Sequence, residues 1–523
     1  MTDLNQIDNL FSNTDLYNAL KHEFTSLERA FVPDVNNRAY GSGYIQLDLS
    51  SLRDSFVNYA EAELWIPLTI TSAAFTGPMT GSKNCPTVPT TAGVACDLIR
   101  WKGSQLALFG DLVVKNNTDS VIKESSTYYR NIAPEPLNHS EQWYKSGDSS
   151  RISYSFDDAS NNVWTSTGPG LAQVGWGVPD IAFSASATTA ADGIMFPGAP
   201  YRIRANTGIV KGMNDFFSQF QYNSASHSYY GNVTIKLREL SPFFEQLDFP
   251  MSANFTLYIY FNFINGSNAV KNMPPLQCLS GVGVGTTVTA GTAFNLPAAL
   301  GTFPSITIGG TLNADTACRL YYKSIKFNSE MGRKILAAYQ HNQVKYISFN
   351  TTEVFDSYQN VTNDNNQTIL INPLLKRIQR LYMLGYDHAN PLNSWTSNGC
   401  GFIDANIVDL NNFNVKINNK NYYQENLTLD NEFYDEALQC TSTYGLSDES
   451  HSLLNEDTYY NGNTLYVFDL KRLETRMDPE SSVSIYVEFT NQYDGAVDYV
   501  FLTERLVRFR ITMTDKGATF VEL

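Results

Sequence analysis

The histidines and cysteines of the chain are spaced too irregularly to predict a metal site or a catalytic nucleophile. A metal-binding helix would carry H-x-x-x-H or H-E-x-x-H, and a zinc ribbon or redox motif would carry C-x-x-C. Neither pattern occurs among the histidines, His22, His139, His227, His341, His388 and His451, or among the cysteines, Cys85, Cys96, Cys278, Cys318, Cys400 and Cys440. We interpret the cysteines as buried free thiols. A disulfide between Cys85 and Cys96 stays open, because only a short Pro/Thr/Gly-rich loop joins them.

Paired carboxylates could supply the two acids that a glycosidase places across its cleft. The candidates are Asp157 with Asp158, and Glu432 with Asp435 and Glu436. The second group lies at the start of a predicted helix, where acidic residues stabilise the helix dipole, so it needs no catalytic role. Aromatic residues near the first group could line a sugar site, form the small core of a long loop or contact a neighbouring subunit; they are Tyr129, Trp143, Tyr144 and Trp164.

A glycine-rich stretch, GVGVG at residues 281–285, resembles a phosphate-binding loop only superficially. The residues that follow, TTVTAGTAF, are rich in β-branched side chains, whereas a phosphate loop needs a helix to begin there. The chain contains neither G-x-x-x-x-G-K-[ST] nor G-x-S-x-G. The sequence therefore predicts no catalytic residue, no cofactor site and no metal site, and we expect no enzyme activity.

The composition indicates a large β-rich protein with an acidic surface. The chain has 523 residues, which favours two or more domains over one core. Aromatic residues make up 13% and charged residues only 17%, a balance that favours strands. The net charge of −16 repels phosphate backbones, so we expect no direct contact with nucleic acid. The start of the chain, MTDLNQIDNLF, lacks the bases and apolar run of a signal peptide, and we expect a soluble chain made in the cytosol.

The clearest helical pattern covers residues 14–31 and predicts an N-terminal helical arm over residues 1–35. Apolar residues recur there at three- and four-residue spacing, and Pro33 follows them; they are Leu16, Leu20, Phe24, Leu27 and Phe31. The arm either packs on its own domain or docks on a neighbouring subunit. Shorter helices are predicted at 213–220 and 431–439.

The remainder of the chain is predicted to form strands. GYIQLDLSS (43–51) and EAELWIPLTI (61–70) alternate apolar and polar residues with a period of two. A stretch rich in Ser, Asn, Gly and Pro from about 118 to 200 is too long for a hairpin loop and must be an elaborated surface excursion. Residues 266–315 are rich in Gly, Thr and Ala and are predicted to connect two domains.

Four pieces recur in the same order in the two halves of the chain. The first half has DLVVKNN, NDFF, NVTIKLREL and FTLYIYFN; the second has NFNVKINN, NEFY, TLYVFDLKR and VSIYVEFTN. The shared order indicates a duplicated antiparallel unit of about 230 residues, which fits two jelly rolls side by side. Regular alternation of helices and strands, which a doubly wound fold needs, is missing from the sequence.

Longer stretches resemble a known family. ACRLYYKSIKFN (317–328), NFNVKINNKNYYQENLTLDNEFYDEALQ (412–439) and DYVFLTERLVRFRITM (498–513) resemble the second barrel of double jelly-roll major capsid proteins. VTIKLRELSPFFEQLDFPMSANFTLYIYFN resembles the end of their first barrel. The family members in question are those of virophages, adintoviruses and Polinton-like viruses, with the adenovirus hexon more distant.

This resemblance implies an all-β fold of two tandem eight-stranded jelly rolls with long loops, short helices and an N-terminal helix. The expected domains are a first jelly roll at 36–265, the connecting segment at 266–315 and a second jelly roll at 316–523. It further implies a major capsid protein that forms homotrimeric, pseudo-hexagonal capsomers in the icosahedral shell of a double-stranded DNA virus, with the 118–200 excursion as a tower.

The implied location is the virion, after synthesis in the host cytosol. The implied partners are further copies, neighbouring capsomers, minor capsid or penton proteins, and an internal membrane at the N-terminal helix. The alternative function is a carbohydrate-binding or carbohydrate-active β-sandwich, since jelly rolls also serve such proteins.

Overall fold

The computed structural model describes most of the strand-forming chain. The described residues are 24–52, 56–73, 98–117, 119–125, 220–271, 274–279, 304–310, 317–327, 344–371, 377–388, 410–441, 465–470, 484–493, 495–514 and 517–523, with short pieces between 127 and 219 and at 293–295. Within these residues, no helix is long and apolar enough to cross a membrane.

Strands dominate the described chain. In the first half they are β1 (Phe24–Pro33), β2 (Tyr44–Asp48), β3 (Phe56–Val57), β4 (Glu63–Thr71), β5 (Leu98–Trp101), β6 (Phe109–Asn116), β7 (Asp119–Glu124), β8 (Val163–Thr165), β9 (Phe220–Asn223), β10 (Ser228–Lys236), β11 (Phe255–Phe261), β12 (Leu276–Leu279), β13 (Ala293–Asn295), β14 (Ser305–Ile308) and β15 (Arg319–Phe327). In the second half they are β16 (Val344–Val361), β17 (Asn365–Ile371), β18 (Ile378–Asp387), β19 (Leu410–Ile417), β20 (Lys420–Asn421), β21 (Tyr466–Asp469), β22 (Ile485–Asn491), β23 (Val497–Thr514) and β24 (Gly517–Glu522).

Few helices have both ends within the described residues. They are α1 (Leu237–Leu240), α2 (Pro242–Glu245) and α3 (Asp430–Thr441), with 3₁₀ turns at Ser50–Leu52 and Gln105–Leu108. Helix α3 confirms the helix predicted at 431–439. Of the helix predicted at 213–220, Phe216 and Gln219 are helical and Phe220 begins strand β9, while the other positions lie outside the described residues.

The first half folds into a sandwich of two antiparallel sheets, the first sandwich. Its large sheet has the order β1-β15-β4-β10-β9, with β14 on β4 and β3 on β15, and its small sheet has the order β2-β11-β6-β7. Alternation of side chains builds the core. In β11, every second residue, from Phe255 to Phe261, is buried, while the tyrosines between them face outward.

The second half repeats this topology strand for strand as the second sandwich. Its large sheet has the order β16-β23-β18-β21, with β24 on β23, and its small sheet has the order β17-β22-β19-β20. Eight strands in each sandwich therefore occur in the same chain order and the same spatial order, which is a jelly roll. The predicted all-β fold of two tandem eight-stranded jelly rolls is confirmed.

The recurring sequence pieces occupy equivalent positions. NVTIKLREL contains the end of β10 and TLYVFDLKR contains β21; the aromatic strands that follow are β11 and β22. The VK-x-N pieces end β6 and β19 and turn the chain in the same way. Asn117 and Asn418 both adopt a left-handed backbone, with φ of 57° and 48°. Each backbone N–H donates to the residue before the aromatic strand, Asn254 or Ser484.

The predicted N-terminal helix is wrong over residues 24–31, because Phe24–Pro33 is strand β1. It pairs along its length with β15, for example Phe31 with Tyr321. The apolar residues match helical spacing, but pairing with a strand about 300 residues away outweighs this local preference. The residues of the predicted arm before Phe24 lie outside the described residues.

The sheets do not follow the boundaries predicted at 265 and 316. Strand β15, predicted to open the second jelly roll, lies in the large sheet of the first sandwich between β1 and β4. Inside the predicted connecting segment, β14 pairs with β4 and β12 pairs with β5. A Gly/Thr-rich composition carries no information about which distant strand a segment joins.

Candidate functional site

The residues considered for chemistry do not converge in the described part of the chain. There, no three His, Cys, Asp or Glu side chains are grouped so that they could hold a metal ion. His139 stacks on Trp143 with ring centroids 3.6 Å apart, and His388 lies 2.8 Å from a carboxylate oxygen of Asp498. Cys318 and Cys440 are buried free thiols, as predicted.

Further candidates lie outside the described residues: Asp157, Asp158, Tyr129, Tyr144, the glycine stretch at 281–285, His22, His341, His451, Cys85, Cys96 and Cys400. The Cys85–Cys96 disulfide therefore stays a prediction. Trp164 lies in β8, which pairs with β13.

The acidic group at 432–436 caps and flanks its helix, as the sequence indicated. A carboxylate oxygen of Glu432 accepts hydrogen bonds from the backbone N–H groups of Thr428 and Leu429, at 2.7 and 2.9 Å. These are donors at the beginning of α3 that the helix itself leaves unpaired. Glu436 is buried against the sandwich, where its burial excludes a solvent-facing role.

An aromatic cluster, the joint, holds the two sandwiches together. Phe243 of α2 is fully buried and lies 5.9 Å from Phe349, 6.1 Å from Phe509 and 5.7 Å from Phe520, measured between ring centroids. The last three belong to β16, β23 and β24 of the second sandwich. Edge-to-face contacts of this kind add about 0.5–1.5 kcal/mol each beyond area burial.

Polar contacts fix the register of the joint. The side-chain amide of Asn116 donates to the carbonyl of Ala518 at 2.7 Å, and the Ala518 N–H donates to the carbonyl of Ser252 at 3.1 Å. The Lys345 ammonium lies 3.9 Å from the centre of the Phe249 ring. Buried hydrogen bonds and edge-to-face ring contacts together make the joint a specific contact between the two sandwiches.

The outward face of the second large sheet carries a buried ion pair. Arg380 of β18 lies 3.3 Å from Glu504 of β23, and the Tyr382 hydroxyl donates to the same carboxylate oxygen at 2.6 Å. The guanidinium also donates to the carbonyl of Cys440, at the end of α3, at 2.7 Å, and to Asn138, from the first-half excursion, at 3.2 Å. Helix α3 and the excursion therefore cover this face.

Burial controls the protonation of this group. Burial, reinforced by the negative charge of Glu504, holds the pKa of Tyr382 well above its ordinary value. Burial alone would lower the pKa of Arg380, but Tyr382 and Glu504 raise it, so the guanidinium stays charged. The pair is consequently a fixed ionic contact and not a proton-transfer site.

The outward face of the first large sheet carries an open set of aromatic and cationic side chains, the aromatic-cation patch. It consists of Phe31, Tyr321, Trp65, Arg29 and Arg319. Ring centroids lie 5.5 Å apart for Phe31 and Tyr321 and 4.8 Å apart for Trp65 and Tyr321. The Arg319 guanidinium lies 4.6 Å from the Phe31 centroid, and that of Arg29 lies 5.0 Å from the Tyr321 centroid.

The charged residues at the end of NVTIKLREL form ion pairs at the edge of the first sandwich. Lys236 and Arg238 both pair with Glu61, the latter at 2.6 Å. Burial alone would raise the pKa of Glu61, but the hydrogen bond and charge of Lys236, with Arg238, lower it. Arg151 from the excursion pairs with Glu239 at 2.7 Å, and burial raises the pKa of Glu239. This edge therefore anchors the excursion to the sandwich.

Sequence reasoning missed the joint, the ion pair and the patch. Each set brings together residues from strands far apart in the chain, such as Arg380 and Glu504, and no local pattern marks them. A partial signal existed for Phe243, which lies in the quoted stretch SPFFEQLDF directly after the recurring strand.

No family model matches the chain, and no curated protein matches it. Solved structures do match. A chain of the Sputnik virophage structure, determined by cryo-EM, aligns over 96% of this chain and 89% of its own length, with 11% identity and a TM-score of 0.52. The likeness confirms the double jelly-roll fold indicated by the sequence resemblance.

Two further matches are the Faustovirus major capsid protein and a chain of the PBCV-1 virus capsid. The first aligns over 92% of this chain and 90% of its own length, with 12% identity and a TM-score of 0.46. The second aligns over 95% and 97%, with 7% identity and a TM-score of 0.41. No conclusion rests on these two, whose scores lie below 0.5.

Proposed function

We propose that the chain is the major capsid protein of an icosahedral double-stranded DNA virus and assembles with further copies of itself into the shell. The observation that carries the proposal is the pair of jelly rolls with identical strand order, joined into one block by the Phe243 joint. Fold alone does not assign function, so we infer it from the way in which two joined sandwiches can assemble.

The geometry suits a homotrimer. Three copies place six similar sandwiches around one axis, which gives a pseudo-hexagonal outline and lets each capsomer contact six neighbours. A closed ring of this kind requires the two sandwiches of each chain to keep a fixed angle, because a loose joint would allow open chains. Edge-to-face ring contacts and buried hydrogen bonds oppose changes in that angle.

The rest of the proposal follows from this arrangement. We assign residues 24–327 to the first structural unit and 344–523 to the second, because the strand pairing divides there. The predicted excursion at 118–200 begins too early, because Asp119–Glu124 is strand β7 and pairs with β6; the part of it that follows β7 forms the outer tower. Neighbouring capsomers and minor capsid or penton proteins are the further partners, the virion is the location, and the chain has no catalytic role.

The experiment is the mass and outline of the purified full-length chain. Light scattering is expected to give three times the chain mass, and negative-stain images are expected to show a six-sided outline. A glycan array measured on the same preparation tests the alternative function. A clean monomer that binds an oligosaccharide would overturn the proposal in favour of a carbohydrate-binding sandwich, and a clean monomer without ligand would overturn the trimer.

A further inference from the structure

The aromatic-cation patch has the properties of a docking surface. Phe31 keeps 46% of its surface exposed, and Trp65 and Tyr321 are only partly buried. The indole N–H of Trp65 is out of contact with solvent and has no hydrogen-bond acceptor among the described residues. Large aromatic side chains interleaved with arginines are the composition typical of interface centres.

The equivalent face of the second sandwich shows what such a face can carry. There, Arg380 and Tyr382 lie on β18, the counterpart of β4, and are buried beneath the end of α3 and Asn138. A segment from outside the eight jelly-roll strands therefore covers the outward face of this sheet position. The first sandwich has the same sheet with its patch open.

The segment that precedes β1 has the complementary chemistry. Residues 1–23 contain four acidic residues against a single lysine, Lys21. The patch presents two arginines, of which Arg29 also meets Glu63 at 3.4 Å in a partly exposed pair. The same segment is rich in large apolar side chains that suit the aromatic rings: Leu4, Ile7, Leu10, Phe11, Leu16 and Leu20. Its acidic side chains therefore suit the arginines of the patch, and its apolar side chains suit the aromatic rings.

The segment is also long enough. Phe31 lies seven residues along β1 from Phe24, roughly 23 Å at strand spacing. Twenty-three residues span roughly 35 Å as a helix and about 76 Å when extended, so the segment can reverse and reach the patch. Because it is tethered to the same sheet, its effective concentration there is on the order of millimolar, which favours it over a free partner.

We propose that residues 1–23 fold back over the aromatic-cation patch of the same chain. The bound segment covers Phe31, Trp65 and Tyr321 with apolar side chains and pairs its carboxylates with Arg29 and Arg319. This docking does not depend on capsid assembly, and it completes the first sandwich in the way that α3 completes the second.

Tryptic cleavage after Lys21 in the full-length chain tests the contact. The wild type is expected to be cut at least about tenfold more slowly than the double variant Arg29→Glu/Arg319→Glu, because charge reversal repels the acidic segment. The control is Lys420→Glu/Arg510→Glu, which reverses two exposed charges on the second sandwich and should match the wild type. Equal cleavage rates in the wild type and in the patch variant would overturn the proposal.

Photocrosslinking identifies the occupant without altering the patch. With p-benzoylphenylalanine in place of Leu16, crosslinks are expected to residues 29–33 or 319–323. In a mixture of ¹⁴N- and ¹⁵N-labelled copies, each linked peptide pair should carry one isotope. Mixed-isotope pairs would show that a neighbouring copy occupies the patch, and crosslinks elsewhere would show another location; both would overturn the proposal. Neither readout requires a trimer, so failure here is distinguishable from failure of the proposed function.

Discussion

The two sandwiches share eight strands in the same order, yet their large sheets differ in strand length and in what covers the outward face. In the second, β16 and β23 are 18 residues long and extend past the sandwich to cover the first one at the joint. Their counterparts, β1 and β15, are 10 and 9 residues long. The second large sheet is also covered by α3 over a buried ion pair, whereas none of the described segments covers the aromatic-cation patch of the first.

The difference shows that two sandwiches with the same strand order can make different contacts. Strand order, which defines the core, is kept in both copies. Strand length and the covering of the outward face, which define contacts, are changed. One copy supplies the internal joint, and the other keeps a surface available for a covering segment.

Removing the ring at the centre of the joint should have the largest effect. Phe243→Ala is expected to lower the free energy of unfolding by about 3–5 kcal/mol, because it leaves a cavity beside Phe349, Phe509 and Phe520. Urea unfolding followed by circular dichroism measures the change. The control is Leu370→Ala on an open face of the second sandwich, where the side chain is 43% exposed and the expected loss is below about 1 kcal/mol. Equal losses at the two sites would contradict the distinction between joint and open face.

Breaking the ion pair of the covered face is expected to cost about 3 kcal/mol. Glu504→Gln keeps the shape of the side chain but leaves Arg380 buried without its counter-charge. The control is Glu63→Gln, which removes the carboxylate that Arg29 meets on the open face, 3.4 Å away. That partly exposed pair contributes less than about 1 kcal/mol. If both variants lose the same stability in urea, the covered and open faces are energetically alike and the comparison fails.

Raising the pH isolates the covered face further. The pKa of Tyr382 lies well above the ordinary tyrosine value of about 10, so the native chain keeps a proton that the unfolded chain loses. This contribution is fully present below pH 10 and is lost as the pH rises, by about 1.4 kcal/mol per pH unit. Because the unfolded tyrosine is half ionised at pH 10, Tyr382→Phe should make the decline between pH 10 and 11 shallower by about 1 kcal/mol. An unchanged slope in urea titrations would show that Tyr382 ionises equally in both states.

The equivalent asparagine turns should give the smallest effects, and equal ones. Asn117→Ala and Asn418→Ala each place alanine in a left-handed conformation and are expected to cost about 1 kcal/mol. Thermal unfolding of the two variants checks the match. A loss of more than about 2 kcal/mol at one site alone would show that the two turns contribute unequally to the free energy of unfolding, despite the same backbone geometry.

The duplication was predictable because its signals are local. The VK-x-N pattern indicates a left-handed turn after a strand. The alternation in FTLYIYFN indicates a strand that is buried on one face. Each pattern spans no more than eight residues. The helix α3 was predicted for the same reason. Strand β1 was missed because its apolar spacing fits a helix, while its pairing with β15 depends on residues that a local pattern cannot include.

The surfaces were beyond prediction for a related physical reason. The ion pair of Arg380 with Glu504 and the ring cluster around Phe243 exist only after distant strands have been brought into register. The acidic group at Glu432 was explained correctly, since a helix start can be recognised from neighbouring residues alone.

The pairing of β1 with β15 has a consequence for biosynthesis. Phe24 pairs with Phe327, about 300 residues later in the chain. At translation speeds of about 5–20 residues per second, β1 waits roughly 15–60 s for its partner to emerge from the ribosome. During that time its edge is open to mispairing with other nascent chains. Production of this protein in a cell should therefore depend more on chaperone supply while the chain is being made than on the stability of the finished fold.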